Sequence, residues 1–242
     1  MKIIDKKSGK RVVGKPAKLD KSLKETDPLK RVVDKELDAS EYSPMDPPDA
    51  YEKTELSIIK NETMSESLTE LMDEHKELMK VVDEFEKSLA TFKENGYNFT
   101  NEINASFTKF FESFDNELLV HNRKEEKYLF PLLHKLLIDS GEHGTGEHPK
   151  TSVDLMEDDH IKFIQLGTLV FNLLGLSSRL ADTQSRIFVL DTAYNNAREL
   201  TELIKLHVYR EDNIVFPLAQ KLMTPEQLNE IHALLHDKHI CC

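Results

Sequence analysis

Two stretches of the chain, His121-Asn-Arg-Lys-Glu125 and His207-Val-Tyr-Arg-Glu211, place an imidazole four residues before a carboxylate. On a helix that spacing brings both side chains to one face, about 6 Å apart, so that they can bind one metal ion or two adjacent ones. Each stretch runs on to a Phe-Pro-Leu, at Phe130-Pro131 and Phe216-Pro217, and the two are offset by 86 residues. Two further histidines obey nearly the same offset: Leu71-Met-Asp-Glu-His75 and Leu155-Met-Glu-Asp-Asp-His160 set their imidazoles 85 residues apart. The repeat describes a duplicated helical hairpin in which each half supplies one His and then His-x-x-x-Glu.

His75, His121, Glu125, His160, His207 and Glu211 make a ligand set for two ions. With both carboxylates bridging and one oxo or hydroxo bridge, each metal has five ligands and keeps an open octahedral position for a small molecule. A single His on an apolar helix face is usually a hydrogen-bonded core residue. Six groups in repeated register are different, because burying them in one layer costs several kcal/mol each unless something compensates them, and no Lys or Arg falls on the stripes. A metal pair removes that cost. Imidazole plus carboxylate with open positions favours iron, whereas a closed structural zinc site favours thiolates.

The elements that must carry these residues read as helices. Helix one is expected from a capping-box sequence, Ser67-Leu-Thr-Glu70, to about Glu94, with His75 on the stripe of Leu68, Leu71, Leu78, Val82, Phe85 and Leu89. Asn95-Gly96 supplies its stop. Helix two should run from about Asn101 to Ile138, with His121 and Glu125 on its apolar face and Pro131 kinking or ending it. Helix three is expected from Pro149 to about Leu180 around His160, and helix four from Asp182-Thr183 to about Leu222, with Ile187, Ala193, Ala197, Leu200 and Ile204 facing inward beside His207 and Glu211. A short last helix opens at Thr224-Pro225-Glu-Gln227, where Thr caps, Pro takes the first turn and Gln closes the box. The fold class is therefore all-α: an up-down four-helix bundle over residues 63–223, with a capping helix and tail over 224–242. His232 and His236, four apart on that last helix, are a zinc pair only in the sense of adventitious spacing; His134, His143, His148 and His239 carry no pattern.

Composition sets the remaining bounds. Residues 1–62 are rich in Lys, Asp, Glu and Pro without sustained period and read as a disordered or loosely docked extension, an arm available to a protein partner. The net charge of −12 is uneven: residues 1–60 carry 14 Lys/Arg against 12 Asp/Glu, which leaves −14 on the rest. So acidic a bundle repels phosphate backbones and excludes nucleic acid as its partner, while favouring a bound cation. The two cysteines, Cys241 and Cys242, are adjacent and read as an exposed tail, so no disulfide framework is expected. The start lacks the apolar core of a signal peptide, and no stretch approaches the roughly 18 apolar residues of a membrane span. A cytoplasmic protein without membrane partners is the expectation.

One His per odd helix, then His-x-x-x-Glu followed by Phe-Pro on the even helices, resembles the hemerythrin-like (HHE cation-binding) family across about residues 65–223. That resemblance implies a di-iron centre held by the same six residues, with Glu125 and Glu211 as bridges. Asp212, five residues after His207, has the spacing of the bridging acid in oxygen carriers and is the alternative to Glu211. Oxygen carriers have a fifth His four residues after the helix-three ligand, where this chain has Ile164. The set of four His and two Glu is more similar to the iron-centre repair proteins associated with nitrosative and oxidative stress. The resemblance thus implies a non-haem di-iron protein handling dioxygen, nitric oxide or peroxide; a module that senses or stores oxygen or iron without turnover is the alternative.

Overall fold

The computed structural model describes residues 64–144 and 149–236. The N-terminal extension, His148, His239 and the Cys241-Cys242 tail lie outside the described residues. Within them the protein is an all-α bundle with no strand.

Helix α1 spans Glu66–Glu94 and is capped by Ser65, whose hydroxyl accepts from Leu68 N; the expected cap, Ser67, instead lies buried in the first turn. Helix α2 runs from Asn101 to Ser140, opened by Thr100 and closed by Gly141, whose positive φ of 84° suits the left-handed position after a helix end. It is interrupted by two π-helical turns, Phe114–Leu118 and Glu125–Leu129. Helix α3 spans Ser152–Ser177 and starts at a capping box of Thr151 and Asp154, three residues after the Pro149 that the sequence suggested. Asp182 caps α4, which covers Thr183–Arg210, a π-turn at Glu211–Val215, and Phe216–Leu222. Helix α5, Pro225–Leu235, begins at the Thr224/Gln227 box read from the sequence.

Neither proline ends its helix. Pro131 and Pro217 lack the N–H that would continue the α-helical ladder, and each follows a π-turn that takes up the mismatch. Both π-turns begin at the Glu of His-x-x-x-Glu, so the distortion sits where the site is.

The core has two parts, one on each side of that site. Toward the α1–α2 turn it is aromatic: Phe85 stacks on Phe110 at 3.9 Å between centroids, with Phe107 and Phe92 edge-on to the group. Gly167 of α3 permits this packing, because a Cβ there would stand 2.6 Å from Cζ of Phe114. At the other end Leu228, Ile231 and Leu235 of α5 are buried. Of the inward residues expected on α4, Leu200, Ile204, Ala193 and Ala197 are buried, but Ile187 is 46% exposed. It lies near the α4 start, four residues after Thr183.

Candidate metal centre

All six sequence-predicted residues converge in one layer and are at most 4% exposed. They form two overlapping groups, His75, His121, Glu125 and Glu211, and His160, His207, Glu125 and Glu211, so the two carboxylates are common to both. His75 Nε2 is 2.8 Å from His121 Nε2, and His160 Nε2 is 3.1 Å from His207 Nε2. Glu211 lies between the pairs, with Oε1 3.1 Å from His207 Nε2 and Oε2 3.2 Å from His75 Nε2. Glu125 mirrors it, with Oε1 3.4 Å from His121 Nε2 and Oε2 3.6 Å from His160 Nε2.

These atoms fit a metal pair better than they fit one another. Both oxygens of Glu125 and of Glu211 are sealed from solvent, and none has a hydrogen bond of acceptable geometry. Two fully buried carboxylates left so are costly unless a cation satisfies them. Two nitrogen ligands at right angles on one ion, with bonds of about 2.1 Å, stand about 3 Å apart, which matches the 2.8 Å and 3.1 Å between the paired imidazoles. The arrangement is that of a binuclear iron centre.

A second ring of carboxylates orients the imidazoles, and the sequence reading missed it. His75 Nδ1 faces Asp212 Oδ1 at 2.9 Å, His121 Nδ1 faces Glu74 Oε2 at 2.8 Å, and His160 Nδ1 faces Glu126 Oε1 at 2.8 Å. His207 Nδ1 is 3.6 Å from Asp159 Oδ2 and lacks a hydrogen bond. A carboxylate behind Nδ1 places the remaining proton there and frees Nε2 to ligate. These four acids obey the repeat too: Glu126 corresponds to Asp212, and Glu74 to Asp159. Asp212 therefore stands behind an imidazole, and Glu211 occupies the point of convergence.

The cations follow the same register. Lys124 pairs with Glu74, and Arg210 Nη1 donates to Asp159 Oδ2 at 3.1 Å. The sequence reading placed no Lys or Arg on the stripes; both reach the layer through its outer acids instead. The two inner and four outer carboxylates outnumber the cations paired with them, Lys124, Arg210 and Lys162, an excess of negative charge that suits bound cations. Phe216 stacks on His75 at 5.6 Å and Phe130 on His160 at 5.8 Å, so the Phe of each Phe-Pro holds an imidazole of the opposite half.

The buried imidazoles and carboxylates of the layer also shift one another's proton affinity. Burial alone would lower the pKa of His121, but Glu125 and Glu74 outweigh it and push the imidazole up to about 10. His207, similarly buried, is pushed up to about 9 by Glu211 and Asp159. His75 is also raised against its burial by Asp212 and Glu211, whereas burial wins for His160 and lowers it. Burial would raise Glu211, yet His207 and His75 hold it well below the usual carboxylate range. Protons on the imidazoles thus supply the positive charge that the layer demands.

A cleft of about 700 Å³ reaches the layer from one side, between α1 and α2. Glu66, Glu70, Glu74 and Lys124 line it, and His75 and His121 stand at its wall. Ile164, the position expected to replace the fifth His of oxygen carriers, is 50% exposed and faces away from the layer; Phe163 is buried there instead, 4.9 Å from the His207 ring. Among the described residues no helix is long and apolar enough to cross a membrane.

Comparison with known proteins agrees with this geometry. The model of the hemerythrin HHE cation-binding domain matches residues 66–219. Curated relatives include the "Iron-sulfur cluster repair protein YtfE" of Salmonella newport (strain SL254) and of Salmonella agona (strain SL483), each 25% identical over 112 residues, or 46% of either chain. The chain thus spans about half the length of the curated relatives it matches. No solved structure matches.

Proposed function

Since the chain belongs to the hemerythrin HHE cation-binding family, we propose that His75, His121, Glu125, His160, His207 and Glu211 hold two iron ions, and that the protein uses them on dioxygen, nitric oxide or peroxide in the cytoplasm. The observation that carries this reading is the pair of sealed carboxylates shared by two imidazole pairs. His75 and His121 would hold one ion, His160 and His207 the other, and Glu125 and Glu211 both. Iron so held supplies reversible one-electron chemistry and an open position for a small ligand.

The surrounding side chains set the conditions for that chemistry. Asp212, Glu74 and Glu126 accept from Nδ1 of His75, His121 and His160 and so leave Nε2 to the ions, while Asp159 stands 3.6 Å behind His207 Nδ1. Phe130, Phe163 and Phe216 exclude water from the imidazole edges and keep the local dielectric low. The cleft opens beside His75 and His121, which favours small ligands reaching that half of the centre. The names of the relatives support service in iron–sulfur repair as the biological setting, and the proposal extends to a protein partner recognised through the sequence of residues 1–62.

Optical and Mössbauer spectra of protein from iron-replete cells, with turnover assays on peroxide and nitric oxide, test the reading. Protein carrying about one zinc and no paired iron would defeat it.

A further inference from the structure

The outer end of the bundle carries a second cluster of metal-binding side chains. α5 displays His232 and, at its C-terminal cap, His236, four residues apart, so the two rings share one face of the helix. Their centroids are 4.7 Å apart at 79°. Glu70 of α1 reaches both: its Oε2 is 3.0 Å from His236 Nε2 and 3.7 Å from His232 Nδ1. One ligand atom from each of the three residues lies within 4.8 Å of the other two.

Two features separate this cluster from an ordinary surface ion pair. His232 Nδ1 is shut off from solvent and has no hydrogen-bond partner. A buried ring nitrogen without a partner needs a proton acceptor or a cation. The separations also suit an ion, since two ligands of a tetrahedral site with bonds of about 2.1 Å stand about 3.4 Å apart, between the 3.0 Å and 3.7 Å found here. Glu66 Oε2 lies 3.7 Å from His232 Nε2, the other ring nitrogen, where a carboxylate orients a ligating imidazole.

We propose that Glu70, His232 and His236 form a divalent-metal site, distinct from the inner layer, for a borderline ion of which Zn²⁺ is the representative. Two imidazoles and one carboxylate select such an ion over calcium or magnesium, and three protein ligands leave a fourth tetrahedral position. An ion there clasps α5 to the first turns of α1. Glu66 and Glu70 also line the cleft that leads to His75 and His121, so the clasp fixes the rim of that entrance.

The test uses the full chain, loaded with iron and desalted, then titrated with Zn²⁺ beside His236→Ala and Glu70→Ala. His236 is 59% exposed, so its replacement leaves the core untouched. The wild type is expected to take up one more Zn²⁺ per chain than either variant, and to gain thermal stability on zinc addition that both variants lack. Iron content equal to wild type in the variants shows that the bundle is intact. Equal zinc uptake and equal thermal shifts in all three proteins overturn the site. Because the readout is a difference between proteins altered only at the bundle end, it stands whatever occupies the inner layer, which His121→Ala tests separately.

Discussion

Filling the inner layer must expel protons, and their number can be worked out from the structure. Burial would lower His121 and His207, but the surrounding carboxylates raise them from 6.5 to about 10 and about 9. Near neutral pH both imidazoles are then almost wholly protonated in the metal-free protein, and His75, also raised, adds a share. Ligation needs neutral imidazole, so loading with Fe²⁺ near neutral pH releases at least about two protons per chain, with any hydroxo bridge formed from water adding to them. Anaerobic calorimetric titration in buffers of different ionisation enthalpy measures this, since the dependence of the observed heat on buffer enthalpy is the proton count. The release should fall away as pH climbs through 9 and then 10. A count near zero at neutral pH would refute the reasoning, because the layer would then already hold neutral imidazoles around unneutralised acids. The same shifts govern stability without metal: pKa values raised on folding contribute stability that is complete below 6.5 and lost as pH rises through 9 to 10. Metal-loaded protein should lack that alkaline decline.

Asp159→Asn and Glu126→Gln, which loosen His207 and His160, should each weaken iron binding by about 10- to 100-fold while leaving the helical content unchanged, as measured by chelator competition. Burial would raise Glu74, but His121 and Lys124 hold it down to about 2, so it stabilises the metal-free chain above 4.5 and stops doing so as pH falls through about 2; in Glu74→Gln the acid limb of a thermal-stability profile should flatten. Gly167→Ala drives a Cβ against Phe114, and should cost about 1–3 kcal/mol in urea unfolding even though alanine favours helix by about 1 kcal/mol. Unchanged stability there would mean that the Phe114 ring moves aside freely.

The convergence of the six inner residues was legible because the 86-residue repeat fixed both spacing and register, and an imidazole four residues before an acid has only one helical reading. The outer acids lay in the same repeat, each next to an inner ligand: Glu74 before His75, Glu126 after Glu125, Asp159 before His160 and Asp212 after Glu211. Sequence could not assign them, because adjacent helical positions point about 100° apart and which neighbouring helix they meet depends on packing. That is why the sequence leaves Asp212 as an alternative to Glu211, whereas the structure sets Asp212 Oδ1 on His75 Nδ1. The helix-one start shows the same limit, since Ser65 and Ser67 are both good caps and only the path of the chain decides between them. The prolines announced a disturbance, but the π-turns that absorb it place Glu125 and Glu211 at the start of each distortion, a consequence visible only in three dimensions.

The most direct test of the di-iron centre is metal analysis together with Mössbauer spectroscopy on iron-loaded wild type and His121→Ala. Two irons per chain with the signature of a magnetically coupled pair, lost in the variant, is the expected result. A single mononuclear metal, or iron retained unchanged in His121→Ala, would contradict it.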